Sequence, residues 1–386
     1  MQCVWSKTCS SNQVLVILGS HHFSGALRGW IGGEAVWANS TRRALDNLGY
    51  TYVFAASNEH AVFLYKMFPS LVIAILMEAD ALDNCWADKW NCVKSGTNPD
   101  GIPIWKILAF YFWMDPRGPL GAQWTLSPEP YGIGDNVYLG YNIENTCKSQ
   151  NILPPHAREH RAYVMTKFLR FFKELHRRAW PPEFYADAVH TLGVRLVASI
   201  KYDEALDGSK LDFDEVLPRG VERLQQLGPM EFAEELMKSK VLIGIGQPEH
   251  SPTPYVALCV GIPFINPVND ADSNVGPQCQ WDHGNPKDRS RWQAQHWPLR
   301  TLDPPYVYNV FRDDREGFLN AIRAALENPI DSFIPEHMRM RAVEARLKDI
   351  LEKDYYALAE SILRRRRAGI EGGEVGSAFC FPYDVH

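Results

Sequence analysis

The feature that most constrains this chain is a strand–helix–strand order that appears near its start and again further on. Val14 to Leu18 is a short apolar run that enters a glycine-rich turn holding His21, His22, Gly25, Gly29, Gly32 and Gly33. From Glu34 to Leu48 the residues Trp37, Thr41, Ala44, Leu45 and Leu48 recur at helical spacing, and Gly49 stands where a helix needs a left-handed stop. Thr51 to Ala56 then reads as a second strand. Connections this short between strand, helix and strand predict a parallel sheet with right-handed crossovers.

Strands are also expected at Leu71 to Leu76 and Ile107 to Phe112, followed by an irregular loop from Asp115 to Gly140, rich in Pro, Gly and aromatic residues. A second series starts near Ala162 to Phe172. It continues with a helix before the strand Arg195 to Ile200, a helix at Pro229 to Lys238 and a strand at Val241 to Gly244. Strands at Ile262 to Asn266 and Tyr306 to Val310, a helix around Phe318, Leu319, Ile322 and Leu326, and one long helix from Arg339 to Arg366 complete the reading. The domains expected are 1–160, 161–338 and a terminal helix and tail, 339–386, that could cross back to the first. A chain of 386 residues accommodates two domains of ordinary size.

A formal net charge of −6 argues against a surface built for nucleic acid, whose affinity depends on many Lys and Arg neutralising phosphates. The apolar runs Leu71 to Met77 and Ile107 to Met114 are far shorter than the roughly 20 residues that span a bilayer. No signal peptide or anchor is visible in Met1 to Asn12. The eight cysteines lack zinc-type pairs; Cys85 with Cys92 and Cys3 with Cys9 are near enough to staple loops, whereas Cys259, in an apolar helical run, reads as a buried free thiol. The sequon at Asn39 falls inside the helix expected at Glu34 to Leu48, where glycan transfer has poor access.

The stretch from Val241 to Pro267 carries the chemistry. It reads as strand, glycine and proline loop, helix, tight Gly261-Ile262-Pro263 turn and strand. Such a loop sets the amino end of a helix at the carboxyl edge of a parallel sheet, where backbone N–H groups and the positive end of the dipole can hold a diphosphate. Ser251 and Thr253 would add hydroxyl donors there, or serve only as caps.

Gly244-x-Gly246-x-Pro248, then Ser251-Pro252-x-Pro254, then Ala257-Leu258-x-x-Gly261-x-Pro263-Phe264-x-Asn266-Pro267 resembles the donor segment of glycosyltransferase family 18, the N-acetylglucosaminyltransferase V family. Gly32-Gly33-Glu34-Ala35-Val36-Trp37 is similar to that family's Gly-Glu-Leu-Val-x-Trp helix. Gly118-Pro119-Leu120-Gly121 through Trp124, Leu126 and Pro128, with Asp135-Asn136 and Leu139-Gly140, is similar to its acceptor-side loop. Gln295-His296 and Pro305-Tyr306-Val307-Tyr308 follow in the expected order.

The resemblance implies an α/β chain of GT-B fold, with two Rossmann-like domains whose parallel sheets face a cleft. It implies inverting, metal-independent transfer of GlcNAc from UDP-GlcNAc to the 6-hydroxyl of a mannose in an N-glycan, in the Golgi lumen or another secretory compartment. The partners would be a nucleotide-sugar donor, used as co-substrate without any cofactor, and a glycan acceptor. Glu34 corresponds to the catalytic base, although a glutamate at a helix start also simply complements the dipole. Donor contacts are expected from Lys167, Gly246, Gln247, Glu249, His250, Ser251, Pro252, Thr253, Asn266 and Tyr308. Acceptor contacts are expected from Trp37, Trp124 and Tyr131, with Trp281, Trp292 and Trp297 as further ring faces for sugars. His250, Lys287 and Arg289 offer further donors for the diphosphate.

One departure stands out. Two glutamates of the family's donor segment, which accept hydrogen bonds from the ribose hydroxyls, are His250 and Val256 here. Glu249 is the substitute in reach. A different donor or acceptor on the same fold, or a glycan-binding chain without catalysis, are the competing readings.

Overall fold

The computed structural model describes residues 14–30, 32–88, 91–113, 115–130, 136–148, 151–173, 178–201, 208–225, 227–271, 289, 292–370 and 372. It divides into two compact units, Met1–Asn142 with Glu336–His386, and Ile143–Pro335. Each is an α/β layer structure on its own sheet.

In the first unit β1 (Leu15–Leu18), β2 (Thr51–Phe54), β3 (Val72–Glu78), β4 (Ile107–Phe110), β5 (Thr125–Ser127) and β6 (Val137–Tyr138) form one parallel sheet in the order β2-β1-β3-β4-β5-β6. β1 and β4 are buried along their whole length, as strands covered by helices on both faces must be. Between the strands run α1 (His21–Leu27), α2 (Gly33–Leu48), α3 (Asn58–Met67) and α4 (Ala79–Ala87). The apolar face of α2 buries Ala35, Trp37, Ala38, Ala44 and Leu45, and Gly49 ends it at φ 76°. Trp37 stacks flat on Phe110, ring centroids 3.6 Å apart, and fixes the helix over the middle of the sheet.

The second unit holds β7 (Arg161–Met165), β8 (Arg195–Ser199), β9 (Val221–Leu224), β10 (Val241–Gly244), β11 (Phe264–Ala271), β12 (Trp292–Ala294) and β13 (Val307–Phe311). The order is β12-β11-β10-β7-β8-β9, with β13 pairing β11, and every pairing is parallel except β11 with β12. Its helices include α5 (Pro182–Leu192), α6 (Pro229–Met237), α7 (Thr253–Cys259) and α8 (Arg315–Glu327). Trp180, Phe184 and Tyr185 gather around Phe318 of α8 to form the aromatic centre of this core. Residues 143–160 lie in this unit.

After Pro335 the chain re-enters the first unit with α9 (Met340–Glu352) and α10 (Tyr355–Arg367). Arg346 of α9 donates to the Leu139 carbonyl at 2.7 Å, and Trp124 and Trp105 pack against Tyr355 and Tyr356 of α10.

Several elements differ from the sequence reading. The single helix expected from Arg339 to Arg366 is two, because Lys353 is extended and the Asp354 carboxylate starts a new helix by accepting from the Ala357 N–H at 2.9 Å. The turn expected at His21 is α1, started by the Ser20 hydroxyl, which accepts from the His22 N–H. β5 and β6 lie inside the stretch expected to be irregular; two or three residues are too few to show a period. Cys259 is not a free thiol: it is bonded to Cys147, while Cys85 is bonded to Cys92 as its spacing suggested.

Candidate active site

In the second unit the chain passes from β7 to β8 and β9 on one side, then returns to place β10 on the other side of β7. At such a reversal the connecting loops diverge and leave a crevice beyond the carboxyl ends of the two strands. Gly244, the last residue of β10, pairs with Met165, the last of β7. Lys167 and Gly246 therefore each stand two residues past the same rung. Lys167 is exposed, with its ammonium 5.2 Å from the Phe168 ring.

Loop 245–252 is fixed from below and from the side. The Trp180 indole N–H donates to the Gly244 carbonyl at 2.7 Å, and the Ala179 N–H donates to the Ile245 carbonyl at 2.8 Å. Buried Gln295 bridges the loop: its Oε1 accepts from the Gly246 N–H at 2.8 Å and its Nε2 donates to the Pro248 carbonyl at 3.0 Å. His296, also buried, has Nε2 3.1 Å from the Ser251 carbonyl and meets Tyr255 edge to face. Gly246 at φ 105° needs a residue without Cβ, and His250 is held in the left-handed region at φ 53°. A non-glycine residue there costs of order 1 kcal/mol, a strain typical of sites where surrounding contacts dictate the backbone.

Around this loop Gln247 donates to Glu249 at 2.9 Å, and Glu249 is half-exposed. The Ser251 hydroxyl accepts from the Thr253 N–H at 3.3 Å and lies 3.0 Å from the Thr253 hydroxyl, just ahead of α7, whose N-cap residue is Pro252. Val256 is half-buried one turn further on. Burial of the His250 imidazole lowers its pKa to about 4.

Two expected donor contacts are structural instead. Asn266 is fully buried; its amide donates to the His296 carbonyl and to Asn309, and its carbonyl oxygen accepts from the His296 N–H, so it ties β11 to β13 and to the segment that holds the loop. Tyr308 lies in the unit's hydrophobic core. Arg289 points elsewhere, to Asp303 and the carbonyls of Arg300 and Leu302.

The first unit has its own reversal, between β1 and β3. There Ser20 and His22, which follow β1, both bond to Glu78 at the end of β3, each at 2.9 Å. Burial works to raise the Glu78 carboxyl, but the hydrogen bonds from His22 and Ser20 outweigh it and hold the group below its ordinary value. His21, His22 and Glu78 form the group, among the described residues, whose spacing would suit a metal ion: their ligand atoms lie within 4.8 Å of one another. Glu34 opens α2 beside them. A Cβ on Gly32 would fall 2.5 Å from the Trp30 ring and 2.6 Å from Glu34 Oε2, so Gly32 is the gap through which these two groups approach each other.

The acceptor contacts expected from Trp37 and Trp124 do not survive. Trp37 is fully buried, and Trp124 is 2% exposed with its indole N–H bonded to the Trp105 carbonyl, so neither ring has a face open to a sugar. Trp292 and Trp297 are half-buried, Trp292 edge-on to Phe311 and Trp297 beneath the Arg300 guanidinium. Tyr131, Asp135, Trp281, Lys287, Cys3 and Cys9 lie outside the described residues.

The sequence profile described as glycosyltransferase family 18 matches residues 123–365, well over half of the chain. The chain belongs to glycosyltransferase family 18. Among curated proteins this family 18 chain is similar to alpha-1,6-mannosylglycoprotein 6-beta-N-acetylglucosaminyltransferase A of Rattus norvegicus, 22% identical over 60% of this chain and 30% of the relative. It is also similar to the B enzyme of Homo sapiens, 26% identical over 27% of this chain and 13% of the relative. The chain thus spans less than a third of the length of these relatives. Among solved structures, UDP-N-acetylglucosamine 2-epimerase from Rickettsia bellii has a TM-score of 0.45 at 9% identity, covering 93% of this chain and 99% of that one. A likeness of that grade carries no functional weight.

Replacing Gln295 with Leu leaves the Gly246 N–H and the Pro248 carbonyl without their partner in a buried place, at about 1–3 kcal/mol for each group. The urea midpoint of unfolding is expected to fall, and an unchanged midpoint would remove Gln295 from this role. Burial lowers the folded His250 pKa to about 4, below the 6.5 of a free imidazole, so the unfolded chain binds more protons between those values. Its contribution to stability is complete above pH 6.5 and is lost as pH falls toward 4. His250→Asn, which tolerates left-handed backbone, should flatten that part of a pH series of urea midpoints.

Proposed function

We propose that this family 18 chain is a glycosyltransferase that moves GlcNAc from UDP-GlcNAc to the 6-hydroxyl of a mannose in an N-glycan, with inversion and without a metal ion. The observation that carries the reading is the reversal of strand order in the second unit, which sets exposed Lys167 and loop 245–252 at one carboxyl edge, in register. Family membership supplies the chemistry. The names of the curated relatives supply the donor sugar and the acceptor.

In this reading the second unit holds the nucleotide. The diphosphate lies over loop 245–252, its charge offset by the Lys167 ammonium and by backbone donors of the loop. Gln247, Ser251 and Thr253 present polar groups at the loop surface, and Pro252 with Gly246 sets its path. His250 is neutral at pH 7, being buried with a pKa near 4, and serves the loop's shape. Glu249, half-exposed and held by Gln247, accepts from the ribose hydroxyls in place of the family glutamates replaced by His250 and Val256.

On the first unit the Glu34 carboxylate accepts the proton of the acceptor hydroxyl as its oxygen attacks the anomeric carbon. The bond from that carbon to the diphosphate oxygen breaks from the opposite side, and UDP leaves with the electron pair. Inversion follows from a single displacement. The cystine bonds Cys85–Cys92 and Cys147–Cys259 fit an oxidising secretory lumen, including that of the Golgi.

The test is Glu34→Gln. Transfer of GlcNAc to a mannose-terminated glycan should drop by about 1,000-fold or more, a loss typical of removing an essential base, while UDP affinity by calorimetry is unchanged. Full transfer by this variant would remove Glu34 as the base. Preference for GDP or TDP over UDP in the same calorimetry would overturn the donor, and transfer abolished by EDTA would overturn the metal-free scheme and direct attention to His21, His22 and Glu78.

A further inference from the structure

With Trp37 and Trp124 in the core, the sugar-facing surface of the first unit must be built from other side chains, and one aromatic ring stands out. Trp30 is 41% exposed although it follows directly on α1 and lies beside Glu34. It is not a loose surface ring. The backbone N–H of Trp30 donates to the Gly25 carbonyl at 2.9 Å, and a Cβ on Gly25 would touch the indole at 3.4 Å. The indole stacks on the His22 imidazole, centroids 5.3 Å apart and planes within 13° of parallel. His22 in turn is fixed by its bond to Glu78. The far end of the indole passes so close to Gly32 that any side chain there would displace it.

We infer that Trp30 is a carbohydrate platform: the open side of its indole receives the apolar C–H face of a hexopyranose acceptor and presents the sugar's hydroxyls to Glu34. Three observations converge on it. The ring is stacked on one face by His22 and passes close over Gly32, so little side-chain entropy is lost when a ligand docks. A flat apolar surface is matched by the C–H face of a pyranose. The carboxylate of Glu34 approaches the ring at Gly32, and a carboxylate is the acceptor that sugar hydroxyls require. His21, 71% exposed at its side chain, adds a polar group at the rim of the same crevice. Gly32 is needed here for space, since a side chain there would collide with the indole.

This inference rests on the proposed acceptor reaction but is separable from it. Trp30→Ala should raise the KM for a mannose-terminated oligosaccharide by about tenfold or more while the KM for the donor stays within about twofold, a split that a general loss of structure does not produce. Trp30→Tyr, which keeps a ring, should restore most of the acceptor KM. Intrinsic fluorescence supplies a readout independent of transfer: the same oligosaccharide should perturb tryptophan emission of the unaltered chain saturably, and that signal should vanish in Trp30→Tyr with binding by calorimetry retained. If no donor supports transfer yet this signal is present and depends on Trp30, the platform stands and the enzymatic reading falls. An unchanged acceptor KM in a folded Trp30→Ala variant, or no binding of the oligosaccharide to the unaltered chain, overturns the platform whatever the fate of the reaction.

Discussion

Each parallel sheet reverses its strand order once, between β1 and β3 in the first unit and between β7 and β10 in the second, and the chemistry follows from those reversals. Right-handed crossovers on either side of the reversal send helices to opposite faces, so the loops leaving adjacent carboxyl ends diverge. Residues far apart in sequence then share one edge. Glu78 meets Ser20 and His22 across the first reversal, and Lys167 stands level with Gly246 across the second.

A crevice of this kind is useful only if its loops hold their shape. In the second unit that shape is set by buried polar groups around the loop: Gln295 on Gly246 and Pro248, His296 near Ser251, and Asn266 on His296 and Asn309. Each would be costly to bury alone, and together they hold His250 in the left-handed region. The strain is local and the restraint comes from a different segment of chain. In the first unit the comparable restraint is the stack of Trp30 on His22 and the bond between His22 Nε2 and the Glu78 carboxylate.

Much of the fold was legible because parallel strands buried on both faces read as apolar runs, and glycines mark where helices stop. β10 was bounded correctly at Val241–Gly244, and α2 to within a residue with its stop at Gly49. What escaped was short or distant. β5 and β6 are two or three residues long and take their order from β4, and the division of the last helix depends on one carboxylate, Asp354. Site chemistry was harder to read. The family motifs marked Trp37 and Asn266 as ligand contacts, whereas Trp37 packs on Phe110 and Asn266 bonds to His296 and Asn309. The neighbourhood of Trp30, His22 and Glu78 was hidden for the opposite reason, since nothing local in the sequence says that β1 lies beside β3.

The central claim is that the crevice at the reversal between β7 and β10 holds a uridine diphosphate. Amide hydrogen exchange of the chain with and without UDP tests it most directly. Slowed exchange confined to the backbone around Lys167 and to loop 245–252, with the first unit's sheet unaffected, is the predicted result. Bound UDP that leaves those amides unchanged, or that protects a different edge of the second unit, would contradict it.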